Sequence, residues 1–342
     1  MRYKLLGHSG LRVSELCLGT MTFGEEWGWG ASKEESRKVF DAYVEAGGNF
    51  IDTANHYTEG TSERFVGEFI APDREYFVIG TKYTLFMRKG DPNAAGNSRK
   101  NMVQSLEASL KRLGLDYIDL YWLHAWDFTT PVEEILRGLD DLVRAGKVLY
   151  VGISDTPAWI VSRANAIAEL RGWTRFVALQ IEYSLLERTV ERELLPMARA
   201  LDLAVTPWGL LASGVLSGKY NVDASAGGRA ALGGAIPEAN LKIAGELVNI
   251  AREIGRTPSQ VALNWVRQQP GTIIPILGAR TADQLRDTRG CLDFALSDEQ
   301  MRRLDEVSRI DLGFPHEFLA KPAIRARVYA GTYEQIDRRE QI

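Results

Sequence analysis

Cysteine is almost missing from this chain: Cys17 and Cys291 are the only two in 342 residues. Neither has metal-ligand spacing or a redox partner nearby, so a disulfide framework, a thiolate metal centre and a dithiol switch are all excluded as organising principles. Both are expected to be reduced core residues, and no metal site is expected. No run of Lys and Arg forms a sustained basic stripe, and a net charge of -4 with a pI near 5.8 argues against nucleic-acid or anionic-membrane partners. No stretch of about 18 apolar residues occurs anywhere. The opening Met1-Arg2-Tyr3-Lys4-Leu5-Leu6 lacks the apolar segment and small-residue cleavage site of a secretory signal, so a cytoplasmic address is expected. Two nucleotide motifs are also lacking. No Gly-x-Gly-x-x-Gly follows a strand, so a Rossmann site is unsupported. Gly214 to Lys219 imitates a phosphate loop, but it has one residue too few between its glycines, and Tyr220 stands where Ser or Thr would bind magnesium.

What is present is ordinary globular composition, 45% hydrophobic and 25% charged, and a steady alternation of strand and helix patterns. Lys4 to Leu6 and Leu11 to Val13, joined by Gly7-His8-Ser9-Gly10, read as a β-hairpin. Strands follow at Leu16 to Leu18, Asn49 to Ile51, Tyr76 to Ile79, Tyr117 to Leu123, Val148 to Ile153, Phe176 to Ile181, Leu203 to Thr206 and Thr272 to Ile276. Helices are expected between them: a capped one from Ser32 to Ala46 with Glu35 in the capping-box place, then Thr61 to Ile70, Ser98 to Leu113, Pro131 to about Gly146, Pro157 to Leu170, Glu191 to Ala200 and Thr281 to Gly290. A last capped helix begins at Ser297. This rhythm predicts one (β/α)8 TIM barrel over residues 1–342: a hairpin at about 3–14 closing the barrel floor, the barrel at about 16–290, and C-terminal helix and tail at about 297–342. Two connections are unusually long, Tyr83 to Asn97 and Gly209 to Ala239, and are expected to close over a ligand.

In such a barrel the strand exits converge on one mouth. Asp52, Tyr57, Lys82 and His124 all stand at such exits. A phenol with a pKa near 10 is a poor proton donor at neutrality, but an ammonium about 4 Å away attracts its phenolate by roughly 4 kcal/mol at an effective dielectric of 20, enough to lower that pKa. Asp52 would hold Lys82, and His124 would polarise a substrate carbonyl. Met21, Trp27, Trp29, Tyr83 and Trp126 follow strands one, three and four, and are expected to form an aromatic wall suited to the apolar or sugar-like face of a substrate.

These residues carry a family resemblance. Phe50-Ile51-Asp52-Thr53-Ala54 with Tyr57, Ile79-Gly80-Thr81-Lys82, Asp119-Leu120-Tyr121 through His124, and Gly146-Lys147-Val148 through Gly152-Ile153-Ser154 resemble the aldo-keto reductase superfamily from about Tyr3 to Ser308. The resemblance implies an NADP(H)-dependent carbonyl reductase with Tyr57 as proton donor and Asp52, Lys82 and His124 completing a tetrad. It further implies that Trp208 stacks on the nicotinamide, that Ser154 and Gln180 hold its carboxamide, and that Leu211, Ser213, Gly214 and Lys219 cover the pyrophosphate. Asp155 stands where Asn is common. Gly278, Arg280, Gln284 and Asp287 are similar to an adenosine and 2′-phosphate site, and Arg280 near a helix amino terminus favours NADPH over NADH. Thr288 departs from a common Asn. Arg229 could also reach the phosphates.

Two other functions compete. Channel β-subunits, nucleotide-sensing regulatory proteins, share the architecture and much of the Trp208 to Lys219 pattern, but they can replace the histidine kept here as His124. A Schiff-base lyase using Lys82 is disfavoured by Asp52, which keeps the amine protonated. The expected partner is a small-molecule aldehyde, ketone or sugar-like substrate; the oligomeric state is not legible.

Overall fold

The computed structural model describes residues 1–223, 230 and 235–337. A hairpin of β1 (Tyr3–Leu5) and β2 (Arg12–Ser14) precedes the parallel strands β3 (Cys17–Gly19), β4 (Phe50–Asp52), β5 (Val78–Tyr83), β6 (Ile118–Leu123), β7 (Val148–Ser154), β8 (Phe176–Glu182), β9 (Ala204–Trp208) and β10 (Ile276–Gly278). The eight lie in the order β10-β3-β4-β5-β6-β7-β8-β9, and a bridge between Val205 and Ile273 joins the two ends of the sheet. Helices lie between successive strands, so the architecture is the expected (β/α)8 barrel.

Strand alternation sorts the side chains into two cores. Phe50, Val78, Leu120, Trp122, Ala178 and Ala204 fill the barrel lumen together with Leu6 and Val13 of the hairpin, which thereby closes the floor. Ile51, Ile79, Tyr121, Leu123, Leu179 and Val205 face the helices instead. The lumen accepts an indole because Gly152 and Gly80 flank it: a Cβ on Gly152 would lie 2.3 Å from the Trp122 ring, and one on Gly80 2.8 Å from its nitrogen. Trp122 is thus the platform beneath the mouth.

Several boundaries differ from expectation. The eighth strand lies at Ile276–Gly278 rather than Thr272 to Ile276. Pro275 has no N–H for the ladder, so the segment before it keeps only the bridge at Ile273. The helix expected from Glu191 starts at Leu194 and runs to Ala200, which leaves Pro196 in the first turn, where its missing N–H costs nothing. Ser32 caps its helix by accepting from the Glu35 N–H, but the Glu35 carboxylate binds Lys38 and does not complete a capping box. Two helices between the seventh and eighth strands, Glu238–Ile254 and Pro258–Arg267, escaped the pattern reading, although Thr257 and Gln260 form a full capping box before the second. Cys17 and Cys291 are buried and free. Beyond Asp298–Val307 the chain continues through two short helices, His316–Ala320 and Pro322–Val328. No helix among the described residues is long and apolar enough to cross a membrane.

Candidate active site

The inward parity that places Phe50 and Val78 in the lumen also points Asp52 and Lys82 into it, two and four residues further toward the mouth. Lys82 is completely buried, and its Nζ donates to Asp52 Oδ2 at 2.5 Å, to the Thr53 carbonyl at 2.8 Å and to Tyr57 Oη at 3.1 Å. Tyr57 follows β4 on a tight turn in which Thr58 and Glu59 both take left-handed backbone angles, and its ring meets His124 edge-on at 5.9 Å. The four residues expected to meet do meet. Gln180, from β8, donates to the second Asp52 oxygen at 3.1 Å, a contact the sequence reading did not anticipate.

The electrostatics depart from expectation at Tyr57. Burial pushes the phenol up, Lys82 opposes this, and Asp52 and Asp155 push in the same direction as burial, so the net shift is above the ordinary tyrosine value of 10.0. The ammonium was expected to lower it; the surrounding carboxylates and the lost hydration outweigh that single charge. For Lys82, burial works against the charge, yet Asp52 and Tyr57 more than offset it and the amine stays an ammonium. His124 is held well below 6.5 by burial, with Lys82 and His56 adding to the effect, so its imidazole is neutral. Its Nδ1 is buried with no hydrogen-bond partner.

The wall of the mouth is aromatic on one side. Trp27 lies 5.6 Å from Trp29, 5.8 Å from His56 and 6.5 Å from Tyr57, ring centre to ring centre. His56 in turn meets Phe86 at 5.0 Å and contacts its carbonyl through Nδ1. His56 and Phe86 were not foreseen, although the first adjoins Tyr57. Met21 and Trp126 are partly exposed. Tyr83 is not part of the wall: strand parity turns it outward from Lys82, where it stacks on Tyr121 with no exposure.

On the other side, Ser154, Gln180 and Trp208 come from the neighbouring exits of β7, β8 and β9, in the register Ser154 to Gln180, Gln180 to Thr206 and Glu182 to Trp208. Ser154 Oγ and Thr206 Oγ1 are buried without partners. Trp208 is half-buried. Leu211, Ser213 and Gly214 continue into a 3-10 turn in which Ser213 and Gly214 have positive φ, and Lys219 lies over Gly214, its Nζ 3.8 Å from where a Cβ would stand. The second expected group is differently engaged. Gly278 and Arg280 are exposed, Gln284 accepts from the Arg280 backbone N–H at 2.9 Å, and Asp287 accepts from Thr257 and Gln260. Thr288 is buried and bonds back to the Gln284 carbonyl. Arg229 and the glycines at 227, 228, 233 and 234 lie outside the described residues.

Comparison with known proteins fits this geometry: residues 15–309 match the model of the Aldo/keto reductase family. The chain belongs to that family. It is 39% identical over 325 residues to norsolorinic acid reductase of Aspergillus flavus, covering 92% of this chain and 83% of that protein. It is 38% identical over 329 residues to the NADP(+) aryl-alcohol dehydrogenase of Phanerodontia chrysosporium, covering 90% of this chain and 86% of that one. Membership makes the protein an oxidoreductase of carbonyl and alcohol groups in a family that uses NAD(P)H.

Proposed function

We propose that this protein reduces an aryl aldehyde or aryl ketone to the alcohol with NADPH, using Tyr57 as general acid. The observation that carries the reading is the hydrogen bond between Lys82 Nζ and Tyr57 Oη, 3.1 Å long, at the mouth of the barrel. Residues of the mouth fit a nicotinamide. The unpartnered Ser154 and Thr206 hydroxyls beside Gln180 suit a carboxamide, and the half-buried Trp208 offers a flat face for the ring. When bound, NADPH supplies the hydride.

Tyr57 gives its proton to the substrate oxygen as charge develops there, and Lys82 stabilises the phenolate left behind. Asp52 fixes the ammonium and compensates a charge that is costly to bury alone. His124, neutral, offers an N–H to the same oxygen and orients the carbonyl. Arg280 would face the 2′-phosphate, Gly278, Gln284 and Asp287 the adenosine, and Leu211, Ser213, Gly214 and Lys219 the pyrophosphate. Trp27, Trp29, His56 and Phe86 suit a flat aromatic substrate, consistent with relatives named for an aryl alcohol and for norsolorinic acid.

The test is consumption of NADPH, with NADH alongside, against a panel of aryl aldehydes, aryl ketones, aliphatic carbonyls and sugars. Turnover of the aryl members is expected. Tight NADPH binding with no turnover across the panel would contradict the reading and favour a nucleotide sensor.

A further inference from the structure

One acidic side chain at the mouth has no part in the proton path described above. Asp155 closes β7 in a left-handed conformation, φ 41°, and is pinned by two backbone hydrogen bonds, its N–H to the Gln180 carbonyl at 3.2 Å and its carbonyl from the Trp126 N–H at 3.3 Å. Asp155 is an exposed residue at the rim, and burial of its carboxyl against the strand exits holds it above the ordinary carboxylate value of 3.8. The Trp208 indole N–H faces it on one side, and it lies within electrostatic reach of Lys82 and Tyr57 on the other.

The local charges do not balance. Lys82 is the cation of the mouth and is committed to Asp52 at 2.5 Å. Asp155 and its neighbours Glu182 and Glu187 make no ion pair among the described residues, and they repel one another strongly enough to push the Glu182 carboxyl up in addition to the effect of burial. Asp155 therefore adds a negative charge beside Trp208 and toward Tyr57 that no cation there neutralises, in a cleft whose protein walls limit screening. A neutral ring placed there gains little from that field, and a cationic ring gains a great deal.

We infer that Asp155 makes the site discriminate between cofactor redox states, its carboxylate binding the cationic nicotinamide of NADP+ more tightly than the neutral nicotinamide of NADPH. This rests on the proposed function for the identity of the cofactor. Stabilising the oxidised ring favours loss of hydride from the reduced one, so Asp155 biases the bound couple toward carbonyl reduction and slows departure of NADP+. The same carboxylate helps keep Tyr57 protonated, which serves the same direction.

The experiment is calorimetric titration of wild type and Asp155→Asn with NADP+ and NADPH separately, without substrate. Asn takes left-handed angles as readily as Asp, so the backbone is preserved. Asp155→Asn is expected to weaken NADP+ roughly tenfold, with NADPH changed less than about twofold, as removal of one nearby charge requires. Equal weakening of both forms, or an unchanged ratio, would overturn the inference and leave the proposed function intact. Failure of wild type to bind either form would overturn both.

Discussion

Lys82 Nζ stands 2.5 Å from an Asp52 oxygen and 3.1 Å from the Tyr57 hydroxyl, so one buried ammonium is shared between a carboxylate and a phenol. That sharing separates the structural from the chemical part of the site.

Lys82→Met removes the partner of a fully buried carboxylate and should cost about 3–5 kcal/mol of stability while lowering turnover at least about a hundredfold. In the double variant Lys82→Met, Asp52→Asn the unpaired charge is gone, so denaturant melts should recover much of the stability. Turnover should stay lost. Recovery of both together would mean that Lys82 acts only by holding the fold.

The pH profile follows from two displaced groups. Tyr57 lies above its ordinary 10.0, so its proton is available for donation throughout the neutral range and is lost only in strong alkali. His124 lies well below 6.5, so it stays neutral until the solution is distinctly acid. Carbonyl reduction at saturating substrate should therefore be flat between roughly pH 6.5 and 9. A limb within that window, in steady-state rates measured across it, would contradict the assignment of these two groups.

Arg280 is exposed ahead of the helix Ala282–Arg289, with its backbone N–H held by Gln284. If it meets a 2′-phosphate, Arg280→Met should weaken NADPH binding by about tenfold and leave NADH binding unchanged, since the pair is charge-assisted. Equal weakening of both nucleotides in a fluorescence titration would remove Arg280 from the phosphate site.

Asp127 ties the segment after β5 to the segment after β6: its carboxylate accepts from the backbone N–H groups of Asn97, Thr129 and Thr130. Burial opposes its charge, but these bonds outweigh burial and hold the carboxyl at about 2 against an ordinary 3.8. The stabilisation is present above the ordinary value and is lost as pH falls from about 4 to about 2. Asp127→Ala should cost about 1–3 kcal/mol at neutral pH and make residues 84–97 more sensitive to limited proteolysis.

The barrel was legible because strands buried on both sides read as continuous β-branched and aromatic runs, and the tetrad because its members follow such runs directly. Parity within a strand carries more than proximity to its end: counting in twos from Lys82 turns Tyr83 away from the pocket, and counting from Ala204 turns Trp208 toward it. Proline was informative in the same local way, at Pro275 and Pro196. The protonation state of Tyr57 was not legible. It depends first on burial, then on the balance between Lys82 and the carboxylates of Asp52 and, more weakly, Asp155, the last nearly a hundred positions away in the chain and brought near only once the barrel closes. The contact from Gln180 to Asp52 is hidden for the same reason.

The most direct test of the central claim is a single-turnover measurement of NADPH oxidation by wild type and Tyr57→Phe with an aryl aldehyde. The phenyl ring preserves the contacts to Trp27 and His124, so Tyr57→Phe should bind NADPH normally and lose the oxidation step by about 10²–10⁴-fold. A Tyr57→Phe enzyme that oxidises NADPH at the wild-type rate would contradict the account.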